Sequence, residues 1–406
     1  MFVTYGGGHV TKVAPVVREL ESRGVTCLVI ALTVGYRKAQ QLGLDPLGYK
    51  DFLHLMDREA VLARGESLLA GNQHPEVDPL ESRSYLGANY LEWVEANGEE
   101  EAARRYRERG RQAFLPVRLF GRLIDALEPG VVVATSTPRS EQAAIEAAVQ
   151  RRVPTLTMVD LFAPPSDPFL RRTIHADRIT VISSEVRENF VASGLEPWRV
   201  VVTGSPDFDV LFAPQAPAEG AALRQKLGWE GLQVVLWAGY RELEGPGVPP
   251  EYAGTALGTA VERRLRQWVA ERSGTALIVR YHPSHYHEFP DLGPQPRVLV
   301  SNPGLDALLP QLHAADVVVN QVSTVGLEAA LIGRRVLNLE FAPSVARVDF
   351  DLSSLGPSEP VSSLDQLIPA LEAPARGEPG RKMTVPDGPA APRVASVVTG
   401  LLQTPS

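Results

Sequence analysis

Short apolar runs alternate with segments whose apolar positions recur at helical spacing, and this pattern extends through most of the chain. Residues 2–5, 25–32 and 131–135 are nearly continuous apolar runs, and the first and third lead into small polar residues. Segments with helix-like periodicity lie between such runs. Continuous apolar runs of this length are typical of strands buried in a parallel sheet. The order strand, turn, helix, strand therefore predicts a doubly wound α/β domain.

The same order returns in the second half, after a change in composition. A Pro- and Ala-rich stretch is followed by apolar runs at 234–237, 276–279 and 317–319. The chain is thus predicted to contain two Rossmann-like domains. Their expected bounds are 1–210 for an N-terminal domain with a helical insertion at about 50–128, 211–230 for a linker, 231–390 for a C-terminal domain, and 391–406 for a helix that packs back on the N-terminal domain.

The stretch 317–341 carries the clearest candidate site. An apolar strand at 317–319 is followed by a small polar turn and a helix that begins near 325, with Ser323 or Thr324 as its cap. The free N–H groups at such a helix start favour anions, phosphates above all. Glu328, one turn into the helix, could accept hydrogen bonds from a vicinal diol such as a ribose. The alternative is an ordinary turn in which Glu328 is a capping-box carboxylate.

A second candidate lies near the N-terminus, where the first strand leads into three glycines and His9. Gly7 and Gly8 would let the backbone approach a ligand closely. The segment is not a dinucleotide fingerprint, because position 11 is Thr and no acidic residue ends the second strand. His9 is interpreted as a general base, since imidazole titrates near neutral pH. The alternative is a helix-capping or solvent-facing histidine.

Polar residues also follow the other predicted strands of the first half. Ligands of open α/β sheets lie beyond the carboxyl ends of the strands, so these residues together predict a crevice. Asp160 stands directly at a strand end and is the second candidate acid or base, the alternative being a cap for the following turn. The predicted crevice residues are His9, Thr135 to Thr137, Asp160, Ser183, Ser184 and Ser205.

Two arginines and a histidine follow strands of the second half. Arg241 and Arg280 come just after strands at the edge that carries the turn of Gln321 to Thr324, and together they could clamp a diphosphate. The alternative is that they are surface residues. His282 is expected to shape its turn and touch ligand. A zinc site is disfavoured, because His282, His285 and His287 lack a strong ligand set nearby.

Composition excludes several classes of function. The chain has 406 residues, 44% of them hydrophobic, and a net charge of −8. This balance offers no basic face for nucleic acid. The single cysteine, Cys27, excludes a disulfide framework and a cysteine-based metal site. No apolar stretch reaches the roughly 18 residues of a membrane span, and no signal peptide is recognisable. A cytoplasmic protein is expected, with peripheral membrane contact and the oligomeric state left open.

Three motifs resemble known enzymes of nucleotide-sugar metabolism. Gly-Gly-Gly-His-Val at 6–10 resembles the loop of the lipid-II-forming N-acetylglucosaminyltransferases. Ser-Thr-Val-Gly-Leu-Glu-Ala-Ala-Leu-Ile-Gly at 323–333 is similar to the donor loop of lipid-A-disaccharide synthases and CDP-glycerol glycerophosphotransferases. Val-Thr-Gly-Ser-Pro-Asp at 202–207 resembles the inter-domain strand of non-hydrolysing UDP-N-acetylglucosamine 2-epimerases.

The resemblance implies the GT-B fold, with two Rossmann-like domains facing each other across a cleft. It implies a metal-independent glycosyltransferase that takes a nucleoside diphosphate-sugar, UDP-type above all, as substrate and transfers the sugar to an unidentified acceptor hydroxyl. No other cofactor is implied. The residues expected to bind the donor are Gly7, Gly8, Ser205, Arg241, Arg280, His282, Gln321, Ser323, Thr324 and Glu328, with His9 and Asp160 as catalytic residues.

Two departures from the epimerase pattern favour transfer over epimerisation. The epimerases carry Glu-Ala-Gly-Leu-Arg after the strand that ends here at 159–162, and this chain lacks that segment. It also has Ala-Gly-Tyr-Arg at 238–241 where the epimerases place Gly-His-Arg. Nucleotide-sugar epimerisation or hydrolysis is therefore the alternative, and a non-catalytic sugar-nucleotide-binding protein is a third hypothesis.

Overall fold

A computed structural model describes residues 1–74, 76–159, 162–163, 166–321, 323–347, 358–374, 385–386 and 388–403. The chain divides into two compact units. Unit 1 comprises Met1–Asp209 and Val385–Ser406, and unit 2 comprises Val210–Thr384. Each unit carries its own sheet and its own hydrophobic core.

The described strands form two sheets in which every pairing is parallel. Unit 1 holds a 7-stranded sheet of order β3-β2-β1-β4-β5-β6-β7, and unit 2 a 6-stranded sheet of order β10-β9-β8-β11-β12-β13. The strands are β1 Phe2–Tyr5, β2 Val29–Leu32, β3 Pro46–Leu47, β4 Val132–Thr135, β5 Thr155–Met158, β6 Arg178–Val181, β7 Val200–Val202, β8 Gln233–Gly239, β9 Thr275–Tyr281, β10 Val298–Val300, β11 Val317–Asn320, β12 Arg335–Leu339 and β13 Glu359–Val361.

Helices connect most successive strands and cover the sheets. They are α1 Gly7–Ser22, α2 Val34–Gln41, α3 Arg58–Leu68, α4 Pro79–Asn97, α5 Glu99–Arg109, α6 Val117–Leu127, α7 Ser140–Gln150, α8 Ser184–Ala192, α9 Ala216–Leu227, α10 Ala256–Glu271, α11 Leu308–Ala314, α12 Thr324–Leu331, α13 Pro343–Arg347, α14 Leu367–Glu372 and α15 Ala391–Gln403. Because the central strands are covered on both faces, β4 and β11 are buried along their whole length.

Helices α3 to α6 form the insertion between β3 and β4, and α3 and α4 cross with their backbones in contact. A Cβ atom added at Gly87 would lie 1.9 Å from the carbonyl oxygen of Val61, and one at Gly65 would lie 2.0 Å from that of Arg83. Only glycine permits this approach. Behind the helices lies a cluster of aromatic side chains that includes Tyr85, Trp93 and Phe114.

The structure differs from the sequence expectations at several boundaries. Helix α1 already begins at Gly7, so the three glycines do not form a loop, and only Gly6, whose φ is 84°, lies between β1 and the helix. One left-handed glycine is enough to turn the chain from β1 into the helix. Two short edge strands, β3 and β13, were not predicted, because Pro46–Leu47 has only two residues and Glu359–Val361 contains a glutamate and a proline instead of a continuous apolar run.

Two other segments concern the linker and the C-terminal helix: the predicted linker is largely helical, and the C-terminal helix packs on unit 1 as predicted. Helix α9 occupies most of the stretch 211–230 and packs in unit 2, where Arg224 Nε donates to the carbonyl oxygen of Ala314 at 2.7 Å. Helix α15 packs on α1 in unit 1, where Val394 and Val398 join the same core cluster as Val13 and Val17. Residues 385–390 also belong to unit 1.

Candidate functional site

The sheet of unit 2 reverses its strand order between β8 and β11. Open parallel sheets bind ligands beyond the carboxyl ends of their strands, at such a reversal. A cavity of about 330 Å³ lies at this edge. Its lining residues come from the ends of β8 and β9 and from α11 and α12: Ala238, Gly239, Tyr240, Arg280, Tyr281, His282, Pro283, Leu308, Ser323, Thr324, Val325 and Glu328. Five residues predicted to bind the donor are among them, namely Arg280, His282, Ser323, Thr324 and Glu328.

Helix α12 presents its N-terminus to this cavity. Ser323 is its N-cap, and its Oγ accepts a hydrogen bond from the backbone N–H of Val325 at 3.3 Å. Thr324, in the first turn, is exposed and donates its hydroxyl to Glu328 Oε1 at 3.2 Å. Glu328 is only partly buried, and its carboxylate lines the cavity. It accepts from the Thr324 side chain, so it does not form the capping box given as the alternative, in which the carboxylate would accept from the backbone N–H of the N-cap. Its role toward a ribose stays a prediction.

Arg280 supplies a cation to the same cavity. Its Nη1 donates to Ser301 Oγ at 2.8 Å, to the carbonyl oxygen of Asp306 at 3.0 Å and to Gln311 Oε1 at 3.4 Å. These acceptors fix the direction of the guanidinium. Burial lowers the pKa of Arg280 from its ordinary value, whereas the carboxylates of Asp306 and Glu328 oppose that shift. A guanidinium that has lost part of its hydration is well prepared to bind an anion.

His282 lies beside Arg280 in the lining. Burial lowers the pKa of its imidazole, and the neighbouring His285 lowers it further. The ring is therefore neutral near pH 7. Its Nδ1 accepts a hydrogen bond from the backbone N–H of Ser284 at 3.2 Å, which places the remaining proton on Nε2. His282 thus offers the cavity a donor, next to the ring of Tyr240 at 5.4 Å.

Arg241 does not border the cavity, although it was predicted to bind the donor. Its Nε pairs with Glu288 Oε2 at 2.6 Å and its Nη2 pairs with Glu244 Oε1 at 3.0 Å, and it is not one of the residues that line the cavity. Two carboxylates already balance its charge. Glu288 also accepts from His285 Nδ1 at 2.9 Å. Among the described residues, no group of three or more His, Cys, Asp or Glu side chains is arranged to hold a metal ion.

Gln321 is fully buried behind the cavity rather than within its lining. Its Oε1 accepts from the backbone N–H of Tyr240 at 2.7 Å, and its Nε2 donates to Glu242 Oε1 at 2.6 Å. Glu242 in turn accepts from the backbone N–H and the hydroxyl of Ser344, each at 2.7 Å. Gln321 therefore holds the loop after β8 in place, and a ligand in the cavity would meet Tyr240 instead.

Unit 1 has its own reversal of strand order, between β1 and β4. Three adjacent strands, β1, β2 and β4, are each followed by a helix whose N-cap residue has a positive φ. The φ angles are 84° at Gly6, 56° at Thr33 and 75° at Arg139. These turns bring the first residues of α1, α2 and α7 to one edge of the sheet. Gly7, Gly8 and His9 form the first turn of α1 there.

His9 lies across the reversal from the end of β4. Its ring nitrogens lie 3.3 Å (Nε2) and 3.5 Å (Nδ1) from Thr137 Oγ1. Thr137 Oγ1 is 3.4 Å from Thr135 Oγ1, which donates to Glu141 Oε1 at 2.7 Å. Glu141 is fully buried, and this burial raises the pKa of its carboxyl to about 8 although Thr135 and the backbone N–H of Tyr5 donate to it.

One other predicted residue is not brought to this point. Ser205 follows β7, three strands away from β4, and its hydroxyl donates to Asp207 Oδ1 at 2.5 Å. Asp160 lies outside the described residues. The structure thus groups His9 with Gly7, Gly8 and the polar residues after β4.

Sequence reasoning missed Glu141, Tyr240 and Leu308. Glu141 looks like an ordinary acidic residue in the first turn of a helix, and its burial follows from packing alone. Tyr240 could have been found, because it directly follows β8 at the predicted edge. Leu308 comes from α11, and no local signal connects it with a cavity.

Known structures share this architecture over the whole chain. A UDP-GlcNAc 2-epimerase from Methanocaldococcus jannaschii has a TM-score of 0.60 at 12% identity, covering 98% of this chain and 99% of that chain. Staphylococcus aureus MnaA, solved with UDP, has a TM-score of 0.56 at 13% identity, covering 100% and 98%. A UDP-GlcNAc 2-epimerase from Neisseria meningitidis, bound to UDP-GlcNAc, has a TM-score of 0.55 at 14% identity, covering 99% and 98%.

These similarities define the class of fold. The chain has the GT-B fold, with a parallel sheet flanked by helices in each of its two units. No protein-family model matches the sequence, and no curated protein matches it either. In the part of the chain that the structure describes, no helix is both long and apolar enough to cross a membrane.

Proposed function

We propose that this chain is an enzyme that acts on a nucleoside diphosphate-sugar and transfers the sugar to an acceptor hydroxyl. The observation that carries the proposal is the cavity of unit 2, where Glu328, Arg280 and the N-terminus of α12 meet at the reversal of strand order. UDP is the favoured nucleotide, because proteins of the same fold have been solved with UDP and with UDP-GlcNAc.

Each part of the cavity suits one part of such a donor. The N–H groups of α12 and the guanidinium of Arg280 suit the diphosphate. Glu328 lies one turn along the helix and would accept hydrogen bonds from the ribose hydroxyls. The neutral His282 would donate through Nε2, and Tyr240 offers an aromatic ring for a base or sugar to pack against.

The proposed reaction assigns the proton transfer to His9. Its imidazole takes the proton from the acceptor hydroxyl as that oxygen bonds to the anomeric carbon, and the bond from this carbon to the diphosphate breaks. Negative charge then grows on the leaving diphosphate. Arg280 and the N–H groups of α12 would stabilise that charge, and such preorganised stabilisation is usually the largest catalytic contribution. Arg241 would act at most indirectly, through Glu244 and Glu288.

Epimerisation at the sugar is the second candidate, because the solved proteins of the same fold described above include UDP-GlcNAc 2-epimerases. Against it stands the sequence itself, which lacks two epimerase motifs at 159–162 and 238–241. The two reactions differ in what they require. An epimerase converts a nucleotide-sugar alone, whereas a transferase needs an acceptor.

Incubation with nucleotide-sugars tests the proposal directly. We expect UDP-GlcNAc or another UDP-sugar to remain nearly unchanged when it is incubated with the protein alone, and UDP to be released once a hydroxyl acceptor is added. Proton NMR of the sugar follows both outcomes. Rapid formation of a 2-epimer without acceptor would replace transfer by epimerisation. Binding of UDP-sugars without turnover under either condition would favour a binding protein.

A further inference from the structure

We propose that Glu242 is a positioning residue, which acts through the amide of Gln321 to fix the backbone of Tyr240 at the cavity of unit 2. Tyr240 lines that cavity, whereas the side chains of Glu242 and Gln321 are fully buried behind it. This role rests on the proposed function, because it concerns how the cavity holds a nucleotide-sugar. The contacts that carry it lie within unit 2 and can be tested without a ligand.

The carboxylate of Glu242 joins the ends of three neighbouring strands. Glu242 follows β8, Gln321 directly follows β11, and Ser344 lies in the first turn of α13, after β12. Oε1 of Glu242 accepts from Gln321 Nε2 at 2.6 Å and from the hydroxyl of Ser344 at 2.7 Å, and its Oε2 accepts from the backbone N–H of Ser344 at 2.7 Å. Three donors from two other strand ends therefore converge on one buried group.

The side chain of Gln321 continues the connection between β8 and β11 where their backbone pairing ends. The last paired residues are Ala238 of β8 and Asn320 of β11. Beyond this pair, the backbone N–H of Tyr240 donates to Gln321 Oε1 at 2.7 Å. The glutamine side chain thus holds the backbone at the rim of the cavity as a further hydrogen bond of the sheet would.

Glu242 decides which end of the Gln321 amide faces Tyr240. A glutamine amide has an oxygen that accepts hydrogen bonds and a nitrogen that donates them. The N–H of Tyr240 needs the oxygen, so the nitrogen needs an acceptor on the opposite side, which Glu242 supplies. Without that acceptor the amide nitrogen would be buried and unpaired, and turning the amide over would set two N–H groups against each other. Burial raises the pKa of Glu242, whereas the hydrogen bonds from Ser344 and Gln321 oppose that rise.

The backbone of Tyr240 matters to the cavity because it carries a ring of the lining. This ring lies beside that of His282, with ring centroids 5.4 Å apart and planes at 76°. In the proposed function a base or sugar packs against it. Glu242 is not one of the residues that line the cavity, so its effect on a ligand passes through Tyr240.

Hydrogen exchange at the amide of Tyr240 tests these contacts without a ligand. The protein is labelled with ¹⁵N-tyrosine, and the signal of Tyr240 is assigned by its loss in Tyr240→Phe. Glu242→Leu removes the acceptor of the Gln321 amide and should speed up this exchange by about tenfold. Glu359→Gln is the control, because Glu359 pairs with Arg335 at the first residues of β13 and β12, at the opposite edge of the sheet. It should leave the exchange at Tyr240 unchanged.

The amide of Tyr281, in β9 of the same sheet, shows whether Glu242→Leu acts locally. Its exchange rate should stay the same, since the proposed effect is confined to the loop after β8. Equal acceleration at Tyr240 and Tyr281 would mean that Glu242 only stabilises unit 2, and would overturn the proposal.

A reversed pair of substitutions tests the direction of the hydrogen bonds. Gln321→Glu alone sets two carboxyl groups against each other and should speed up exchange at Tyr240. In the double variant with Glu242→Gln, the amide at position 242 can donate to the carboxylate at position 321 and accept from the N–H of Ser344. Exchange should then return to within about threefold of the unaltered chain. A role in packing alone gives the second substitution no reason to restore the first.

UDP binding connects these contacts with the proposed function. Glu242→Leu should weaken UDP binding by about three- to tenfold, the factor that corresponds to one hydrogen bond. In a Tyr240→Ala background it should have no further effect, because the ring through which it acts is missing. Titration calorimetry measures both. A chain that binds no UDP overturns the proposed function, whereas the exchange rates still confirm or overturn the contacts of Glu242.

Three results would overturn the positioning role. They are unchanged exchange at Tyr240 in Glu242→Leu, no recovery in the reversed pair relative to Gln321→Glu, and equal weakening of UDP binding with and without the Tyr240 ring. If Glu242→Leu fails to fold, the reversed pair decides.

Discussion

Glu328 and Arg241 show how neighbouring side chains decide what a residue at a strand end or helix start can do. Glu328 accepts one hydrogen bond from Thr324 and still borders the cavity, because it is only partly buried. Arg241 had an equally favourable position in the sequence, yet Glu244 and Glu288 lie within reach and take up its guanidinium. The sequence indicates the edge of the sheet where such residues gather, but not their partners.

The assignment of Glu328 to the ribose can be tested by binding. Glu328→Ala should weaken the binding of UDP by about tenfold or more, since hydrogen bonds to a charged group contribute about 1.5–3 kcal/mol. Its affinity for inorganic diphosphate should not fall, because the phosphate contacts remain. Thermal shift at increasing ligand concentration measures both, since ligand at 100 times its dissociation constant adds about 2.7 kcal/mol of stability.

Glu251→Ala provides the matched control, since Glu251 is an exposed glutamate of unit 2 that does not border the cavity. It should bind UDP like the unaltered chain. Equal affinity for UDP, GDP, CDP and dTDP in Glu328→Ala and in the unaltered chain would remove Glu328 from the ribose site.

At the scale of elements, local chemistry fixes where several helices begin and where they meet. Ser323 rather than Thr324 caps α12, because its extended backbone lets its hydroxyl reach the N–H of Val325. The crossing of α3 and α4 depends on Gly65 and Gly87. From the sequence alone, a glycine within a helix indicates only a weak helix former. The existence of these helices could be predicted from the sequence, whereas the close approach of their backbones could not.

This crossing makes a prediction about stability. Gly87→Ala should lower the free energy of unfolding by about 1–3 kcal/mol, because its Cβ would lie 1.9 Å from the carbonyl oxygen of Val61 and the helices would have to separate. Chemical denaturation measures the change. Gly400→Ala in α15 is the control, since its added Cβ meets no atom within 4 Å. It should be neutral or stabilise the protein by up to about 1 kcal/mol. Equal effects at the two sites would contradict the proposed crossing.

At the scale of the whole molecule, the sequence predicted the α/β class and the two parallel sheets, and the GT-B resemblance rested on motifs at 6–10, 202–207 and 323–333. Similarity to solved structures supports that fold. The predicted cleft between the two domains stays a prediction. Helix α15 joins the core around α1, as predicted for the C-terminal helix, whereas α9 is a packed helix of unit 2 inside a stretch that looked like a linker.

Burial of Glu141 predicts a pH dependence of overall stability. Its pKa in the folded protein is about 8, above the ordinary value of 4.5, so the folded state keeps a proton that the unfolded chain releases between these pH values. The contribution of this group to stability is therefore fully present below about pH 4.5 and is lost as the pH rises to about 8.

Glu141→Gln should remove that loss, because an amide does not titrate. The difference in free energy of unfolding between Glu141→Gln and the unaltered chain should therefore be more favourable to the variant at pH 9 than at pH 5, by on the order of a few kcal/mol. Denaturation at the two pH values gives the difference. Glu100→Gln, at an exposed position of α5, should show no such change. A difference that is the same at both pH values would show that Glu141 ionises normally.

The sequence by itself determined the alternation of strands and helices, the edge of each sheet where polar residues collect, and the helix start that holds Ser323 and Glu328. These features depend on spacing along the chain, and apolar periodicity and capping chemistry record that spacing locally. Only the tertiary structure decided that Arg280 borders the cavity while Gln321 is buried behind it, and that Glu141 is buried and accepts from the hydroxyl of Thr135. Those outcomes depend on contacts between residues far apart in sequence, and burial, charge pairing and the direction of a hydrogen bond exist only once such residues have met.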